Sequence, residues 1–215
     1  MSIKGIVFDL DGTLLYTLED LKNSLNFALN ACNMPKRTLE EVRNFVGNGI
    51  KKLIERSLDD NQEKFDECYE TFLSHYAKNS LITTKPYNGV VSGLKKLKEN
   101  NIKLAILSNK IDVEVKRLSK YFFDDIFDIS MGETSTFPKK PDPKALLEII
   151  KEFNLSKDEI CFIGDSEVDI QTAKNANVQC LSVLWGYKDK DFLIQNNAKN
   201  LFENFEQMVE FILKN

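Results

Sequence analysis

The second half of this 215-residue chain alternates short apolar runs with longer amphipathic stretches, and this alternation constrains the fold most strongly. Short runs of apolar and β-branched residues that end at turn formers are typical of buried strands. We place strands at residues 3–8, 103–107, 126–130, 160–163 and 179–184. We place helices at residues 90–99, 111–121, 143–153, 170–176 and 203–213. Strand and helix in alternation predict an α/β fold, a doubly wound parallel sheet of the Rossmann-like kind.

A segment with helical periodicity separates the first strand from the second. Within it, Thr17 and Asp20 predict a capping box at the start of one helix, and Thr38 begins another. The turn formers of residues 83–89 then return the chain to the strand and helix alternation. We therefore predict a small all-helical domain, residues 16–83, inserted after the first strand of a core made of residues 1–15 and 84–215.

Composition excludes several classes of protein. With 42% hydrophobic and 29% charged residues, the chain is neither disordered nor collagen-like. The longest uninterrupted apolar run has four residues, which predicts neither a membrane span nor a signal peptide. The net charge of -4 is scattered, so we expect no nucleic acid and no membrane partner. The four cysteines show no CxxC spacing, which favours buried thiols and a cytoplasmic location.

Polar side chains follow three of the predicted strands. Asp9 and Asp11 come after the first, Ser108 after the second, and Asp165 with Asp169 after the fourth. In a parallel sheet these segments converge on one edge, where ligands bind. Gathered carboxylates repel one another and stay ionised together only around a cation. Oxygen ligands without His or Cys nearby predict Mg²⁺ as the cofactor.

Each of these residues also has a simpler interpretation. Asp9 and Asp11 could cap the following turn, and Ser108 could be the N-cap of a helix. Lys140, just before the Asp142-Pro143 helix start, could be a solvated surface charge. The joint occurrence of all these residues, each in order along the chain, favours a functional site over the separate explanations.

The sequence resembles the haloacid dehalogenase superfamily of phosphatases, and within it the phosphoglycolate phosphatase-like group. Four signature segments carry the superfamily resemblance: residues 9–14 (Asp-Leu-Asp-Gly-Thr-Leu), Ser108, Lys140 and residues 164–169 (Gly-Asp-Ser-Glu-Val-Asp). Further phrases typical of the group lie at residues 45–49, 86–90, 108–110, 140–143, 169–174 and 185–187. The resemblance covers essentially the whole chain.

The resemblance implies a role for each signature residue. Asp9 would be the nucleophile that forms an aspartyl-phosphate, and Asp11 the general acid and base. Ser108 would bind a phosphoryl oxygen, and Lys140 would neutralise charge on the nucleophile and the transferring group. Mg²⁺ would be held by the Asp9 carboxylate, the Asp11 carbonyl and Asp165, with Asp169 supporting the metal site.

The resemblance also implies a substrate-binding set. The helical insert corresponds to the cap of the family, a lid that excludes water and contacts the leaving group. Its substrate-facing loop would be Gly47-Asn48-Gly49, and the alternative for these residues is a simple helix break. Gly12, Thr13 and Asn109 would complete the set. Many relatives carry an acidic residue where this chain has Tyr16, which leaves the choice of substrate open.

The expected function is Mg²⁺-dependent hydrolysis of a small phosphorylated metabolite such as phosphoglycolate, by a monomer or homodimer. A pyrophosphatase or a phosphosugar mutase of the same fold is an alternative, and a non-catalytic regulatory relative is another. A dehalogenase is disfavoured because it normally lacks the carboxylate that Asp11 supplies. The complete set of signature residues argues against a non-catalytic protein.

Overall fold

The computed structural model describes residues 2–214 and divides the chain into two compact units. One unit joins the residues up to Leu15 with those from Pro86 onward, and the other spans residues 16–85. We call them the α/β unit and the helical unit. Among residues 2–214, no helix is long and apolar enough to cross a membrane.

The α/β unit contains a six-stranded parallel sheet in the order β5-β4-β1-β6-β7-β8. Strands β2 and β3 form a separate two-stranded pair, at the two points where the chain passes from one unit to the other. The strands are β1 (Gly5–Phe8), β2 (Leu15–Tyr16), β3 (Lys85–Pro86), β4 (Lys103–Ile111), β5 (Ile129–Glu133), β6 (Ile160–Gly164), β7 (Gln179–Val183) and β8 (Leu201–Phe202). The α/β fold and the parallel sheet predicted from the sequence are confirmed.

Helices cover both faces of this sheet, which explains why its central strands are apolar throughout. The helices of the unit are α5 (Val90–Glu99), α6 (Asp112–Phe123), α7 (Lys144–Phe153), α8 (Glu167–Ala176), α9 (Lys190–Gln195) and α10 (Phe205–Lys214), and α1 to α4 belong to the helical unit. Val7 of β1 packs in a cluster with buried side chains of α7 and α8. Phe8, the next residue, stacks on Phe205 of α10 with ring centroids 6.0 Å apart. Successive side chains of β1 therefore anchor opposite helical layers.

Several predicted boundaries differ from the structure, among them the end of the strand predicted at 103–107, which extends to Ile111 as β4, and two differences have identifiable reasons. The strand predicted at residues 126–130 begins only at Ile129. Before it, the Ile126 amide closes a turn onto the Phe123 carbonyl, and the Leu104 amide of β4 donates to the side-chain carboxylate of Asp128. Helix α8 begins three residues earlier than the predicted 170, at Glu167. Ser166 caps it, and its side chain and backbone form a capping box with Asp169.

The helical unit consists of α1 (Leu18–Ala31), α2 (Leu39–Phe45), α3 (Ile50–Leu58) and α4 (Phe65–Asn79). Thr38 caps α2 in a complete capping box with Glu41, as a helix start at this position requires. The capping box predicted for Thr17 and Asp20 is wrong, because the Thr17 side chain makes no capping hydrogen bond.

Asp20 instead joins the two ends of the helical unit. Its carboxylate accepts hydrogen bonds from the backbone amides and hydroxyls of Thr83 and Thr84, at distances of 2.7 to 3.0 Å. The side chain is almost fully buried at 1% exposure. Although burial raises the pKa of Asp20, the hydrogen bonds from Thr83 and Thr84 outweigh it and hold the pKa below its ordinary value. The ionised carboxylate is therefore part of the folded structure.

We expect Asp20→Ala to lower the free energy of unfolding by about 3 kcal/mol, because it leaves buried donors of Thr83 and Thr84 without an acceptor. The folded pKa lies below the ordinary 3.8, so this contribution is present above pH 3.8 and is lost as the pH falls through the folded value. Urea denaturation followed by circular dichroism at pH 7 and at pH 3 measures both effects. The exposed Asp60 provides the control, Asp60→Ala. An equal loss in both variants at pH 7 would contradict this role of Asp20.

Candidate active site

The predicted catalytic residues of the α/β unit come together at the carboxyl end of the sheet. Strand β1 lies between β4 and β6, so the segments after these three strands are neighbours. Asp9 and Asp11 follow β1, Ser108 lies in the last part of β4, and Asp165 follows β6. The order of the strands reverses at β1, which is where ligands bind in open α/β sheets.

Three carboxylates of this edge form a buried cluster. One oxygen from each of Asp9, Asp165 and Asp169 lies within 4.8 Å of the others, and all three residues are buried. The ammonium of Lys140 lies 2.7 Å from Oδ1 of Asp169 and 2.9 Å from Oδ1 of Asp9. Lys140 is itself only 5% exposed, so it is not the solvated surface charge of the simpler interpretation.

The cluster carries more negative charge than its lysine balances, and the pKa values reflect this. Burial raises the pKa of Asp9 to about 7, and Asp169 and Asp11 add to the rise while Lys140 opposes it. Burial, with Asp169 and Asp9, also raises the pKa of Asp165 well above its ordinary value. For Lys140, burial favours the neutral amine, but Asp169 and Asp9 outweigh it and raise the pKa. An additional cation would stabilise the ionised carboxylates.

Asn109 fixes the backbone of Lys140. Its side-chain amide donates to the Lys140 carbonyl at 3.1 Å, and its carbonyl oxygen accepts from the Lys140 amide at 2.8 Å. Asn109 was predicted to bind substrate, and the structure places its side chain in this buried clamp. The clamp joins β4 to the segment before α7, and it thereby sets the position of the Lys140 ammonium.

A second buried lysine binds the carboxylate of Asp11. The Lys110 ammonium lies 3.0 Å and 3.1 Å from the two carboxylate oxygens of Asp11. The Lys110 backbone amide also donates to the hydroxyl of Ser108 at 3.3 Å. The side chain of Lys110 is 3% exposed, against 21% for that of Asp11. Asp11 is therefore the more accessible member of the pair.

The carboxylate of Asp165 is positioned by segments that are distant in sequence. The Tyr187 amide donates to Oδ2 of Asp165 at 2.6 Å, and the Thr13 hydroxyl lies 3.5 Å from Oδ1. Gly12 passes so close that a Cβ atom there would lie 2.3 Å from Oδ2 of Asp165, and its φ of +83° disfavours other residues. Gly12 and Thr13, predicted to contact substrate, thus also shape the site around Asp165.

The predicted substrate residues Gly47, Asn48 and Gly49 belong to the helical unit. They form the turn between α2 and α3, and φ is +109° at Gly47 and +84° at Gly49. The Asn48 side chain accepts a hydrogen bond of 2.8 Å from Arg56. The positive φ angles account for both glycines by turn geometry. A role of this turn in substrate selection stays a prediction.

Sequence reasoning missed the contributions of Lys110, Trp185 and Tyr187. The Trp185 indole donates to the Thr13 carbonyl at 3.0 Å, across 172 positions of sequence. Lys110 and Asp11 are 99 positions apart. Two signals were available: Lys110 lies near the end of β4 and Trp185 and Tyr187 follow β7, and both segments carry phrases typical of the resembled group.

The fold and the site are those of one class of protein. Comparison with known protein families identifies that class. The sequence model of the haloacid dehalogenase-like hydrolases matches residues 6–183. The chain belongs to this family, and it is an enzyme of the phosphatase type.

Individual proteins that are similar to this chain give a finer comparison. The chain is 34% identical to the phosphoglycolate phosphatase of Psychrobacter arcticus over 97% of its length and 95% of that protein. It is 33% identical to the phosphoglycolate phosphatase of Aquifex aeolicus, over 86% of each chain. A crystal structure from Lactobacillus delbrueckii subsp. bulgaricus, with a provisional phosphoglycolate phosphatase assignment, superposes with a TM-score of 0.96 at 31% identity over 100% of both chains. This chain is thus similar to phosphoglycolate phosphatases over nearly its full length.

Proposed function

We propose that this enzyme is a Mg²⁺-dependent phosphatase that hydrolyses a small phosphomonoester, with phosphoglycolate as the leading candidate, through an aspartyl-phosphate intermediate. The observation that carries the proposal is the environment of Asp9. Its Oδ1 is buried and pairs with the Lys140 ammonium at 2.9 Å, and no other donor among residues 2–214 hydrogen-bonds to it. A buried carboxylate oxygen left in this state is available to attack an electrophile or to bind a cation.

The donor set suits Mg²⁺. Asp9, Asp165 and Asp169 offer only oxygen atoms, which hard divalent cations prefer. Both oxygens of Asp169 already accept hydrogen bonds, Oδ1 from Lys140 and Oδ2 from Ser166. Asp9 and Asp165, with the Asp11 carbonyl, would therefore hold the ion, while Asp169 orients Lys140. When bound, Mg²⁺ would offset the charge of the carboxylates and of the phosphoryl group.

In the first step, a carboxylate oxygen of Asp9 attacks phosphorus and the bond to the leaving oxygen breaks. The carboxyl group of Asp11 gives its proton to that oxygen, so that an alcohol leaves and an aspartyl-phosphate remains. The Ser108 hydroxyl donates to a phosphoryl oxygen, and the Lys140 ammonium stabilises the negative charge that is transferred.

In the second step, water hydrolyses the aspartyl-phosphate. The Asp11 carboxylate accepts a proton from the attacking water, whose oxygen forms a bond to phosphorus. The bond between phosphorus and Asp9 breaks, which releases inorganic phosphate and regenerates the Asp9 carboxylate. Asp11 is again protonated and ready for the next substrate.

Phosphoglycolate is proposed because of the similarity to proteins of that name. The two curated relatives share 34% and 33% identity with this chain over most of its length. One structure that bears on the alternative phosphosugar mutase, a provisionally assigned β-phosphoglucomutase from Bacteroides vulgatus, is 18% identical to this chain. Identity at that level shows a shared fold and no more.

A phosphate-release assay of the purified protein tests the proposal. We expect phosphoglycolate to be hydrolysed in Mg²⁺ and not in EDTA, and Mg²⁺ added back in excess to restore the activity. Other small phosphomonoesters and pyrophosphate complete the panel. Release from pyrophosphate alone would show a pyrophosphatase, and interconversion of sugar phosphates without release would show a mutase. Absence of both reactions across the panel would contradict the proposed function.

A further inference from the structure

Lys110 is a lysine that lies buried within a strand. It lies near the carboxyl end of β4 and is only 4% exposed, and lysine is almost never buried unless it is paired. Removing an ammonium from water is costly, so the contact that holds it must be well formed. That contact is with Asp11, whose two carboxylate oxygens lie 3.0 Å and 3.1 Å from the ammonium.

The second lysine of the site does not duplicate this contact. The Lys140 ammonium binds Asp169 and Asp9, whereas the Lys110 ammonium binds Asp11. The backbone amide of Lys110 also donates to the Ser108 hydroxyl. Lys110 therefore contacts both Ser108, which would bind a phosphoryl oxygen, and Asp11, which would transfer the proton. The site therefore has one lysine beside the nucleophile and another beside the proton-transferring carboxyl.

We propose that Lys110 is a positioning residue, which holds the Asp11 carboxyl where it exchanges a proton with the leaving oxygen and then with water. The proposal rests on the function proposed above for Asp11. Proton transfer requires the carboxyl to lie within hydrogen-bonding distance of the reacting oxygen, and a displacement of about 1 Å can cost about 100-fold in rate. An ammonium that contacts both oxygens fixes the position and the rotation of the group.

The dependence of rate on the leaving group tests this role. Phosphoglycolate releases an alcohol that needs a proton, whereas 2,4-dinitrophenyl phosphate releases a phenolate that needs none. For Lys110→Met we expect kcat/KM to fall about 10- to 100-fold on phosphoglycolate and to stay within about threefold of wild type on the aryl ester. A rapid release of one equivalent of dinitrophenolate should persist, followed by slower turnover, because hydrolysis of the aspartyl-phosphate still requires Asp11.

A double mutant separates positioning from other effects. In the Asp11→Asn background, Lys110→Met should cause less than about a twofold further loss on either ester, because the group it positions is already absent. Lys116→Met is the matched control, since the Lys116 ammonium pairs with Asp112 at 2.7 Å and its side chain is 61% exposed. It should retain wild-type kinetics on both esters.

These experiments distinguish a failure of the proposal for Lys110 from a failure of the proposed phosphatase function. If Asp11→Asn shows the expected leaving-group dependence while Lys110→Met matches wild type, or if the two losses add, the proposal for Lys110 is overturned and the phosphatase mechanism stands. If wild type hydrolyses neither ester, the proposed function itself fails. Should Lys110→Met not fold, Lys110→Gln replaces it, because its amide can still donate one hydrogen bond and should give a smaller loss of the same pattern.

Discussion

Asp9→Asn is expected to abolish phosphatase activity, with kcat at least ~1000-fold below wild type on every phosphomonoester. The amide has nearly the shape of the carboxylate, but it is a poor nucleophile and a weaker cation ligand. Rapid mixing with 2,4-dinitrophenyl phosphate should show no initial release of dinitrophenolate, because no aspartyl-phosphate forms. Phosphate release in Mg²⁺ gives the steady-state loss.

The stability of Asp9→Asn provides an internal control. The pKa of Asp9 is raised to about 7, so its stabilising contribution is complete below pH 3.8 and is lost as the pH rises through 7. Above pH 7 the ionised carboxylate destabilises the metal-free fold, and the amide lacks that charge. In EDTA at pH 8, we expect Asp9→Asn to be at least as resistant to urea as wild type. A stable variant with full turnover would disprove the role of Asp9 as the nucleophile.

Lys140→Met should lower kcat at least ~100-fold, because it removes a cation aimed at the transferring phosphoryl group. It should also destabilise the metal-free protein by about 3–5 kcal/mol, since Asp9 and Asp169 would lose their buried partner. Mg²⁺ should restore part of that loss by supplying positive charge to the same carboxylates. Kinetics and urea denaturation, each with Mg²⁺ and with EDTA, measure these effects separately.

The adjacent lysine offers a matched control. The Lys139 ammonium lies 3.0 Å from Glu133, and its side chain is 29% exposed, so Lys139→Met changes the same charge outside the buried cluster. We expect its kcat to match wild type and its stability to change by less than about 1 kcal/mol. Equal effects of the two substitutions on kcat would show that Lys140 acts only through the general charge of the surface.

The central strands of the fold could be predicted because they are buried on both faces and therefore read as continuous apolar runs. The strand at residues 160–163 matches β6 closely for this reason, and the helix at 90–99 matches α5 because its buried residues recur with helical spacing. The short elements β2, β3 and β8 were missed, because each has two residues and depends on pairing rather than on a local pattern. Helix α9 was also missed, since it is six residues long.

The candidate site could be predicted where a residue follows a predicted strand, as Asp9, Ser108 and Asp165 do, although β4 continues through Ser108 to Ile111. Contacts between distant segments left no trace in the sequence. Asp20 illustrates this, because a helix start with Thr and Asp at this spacing predicts a capping box, whereas the carboxylate binds threonines 63 and 64 positions away. The same holds for Lys110, whose partner Asp11 lies after a different strand.

The pairing of β2 with β3 has a consequence for how such a chain can change over evolutionary time. The chain enters the helical unit at Leu15 and Tyr16 and leaves it at Lys85 and Pro86, which pair with them, so this segment begins and ends at one place. When the two ends of an inserted segment are adjacent, the distance that the segment must span is the same whatever its length. A lineage can lengthen, shorten or exchange the insert without altering the path of the chain that carries Asp9 and Asp11.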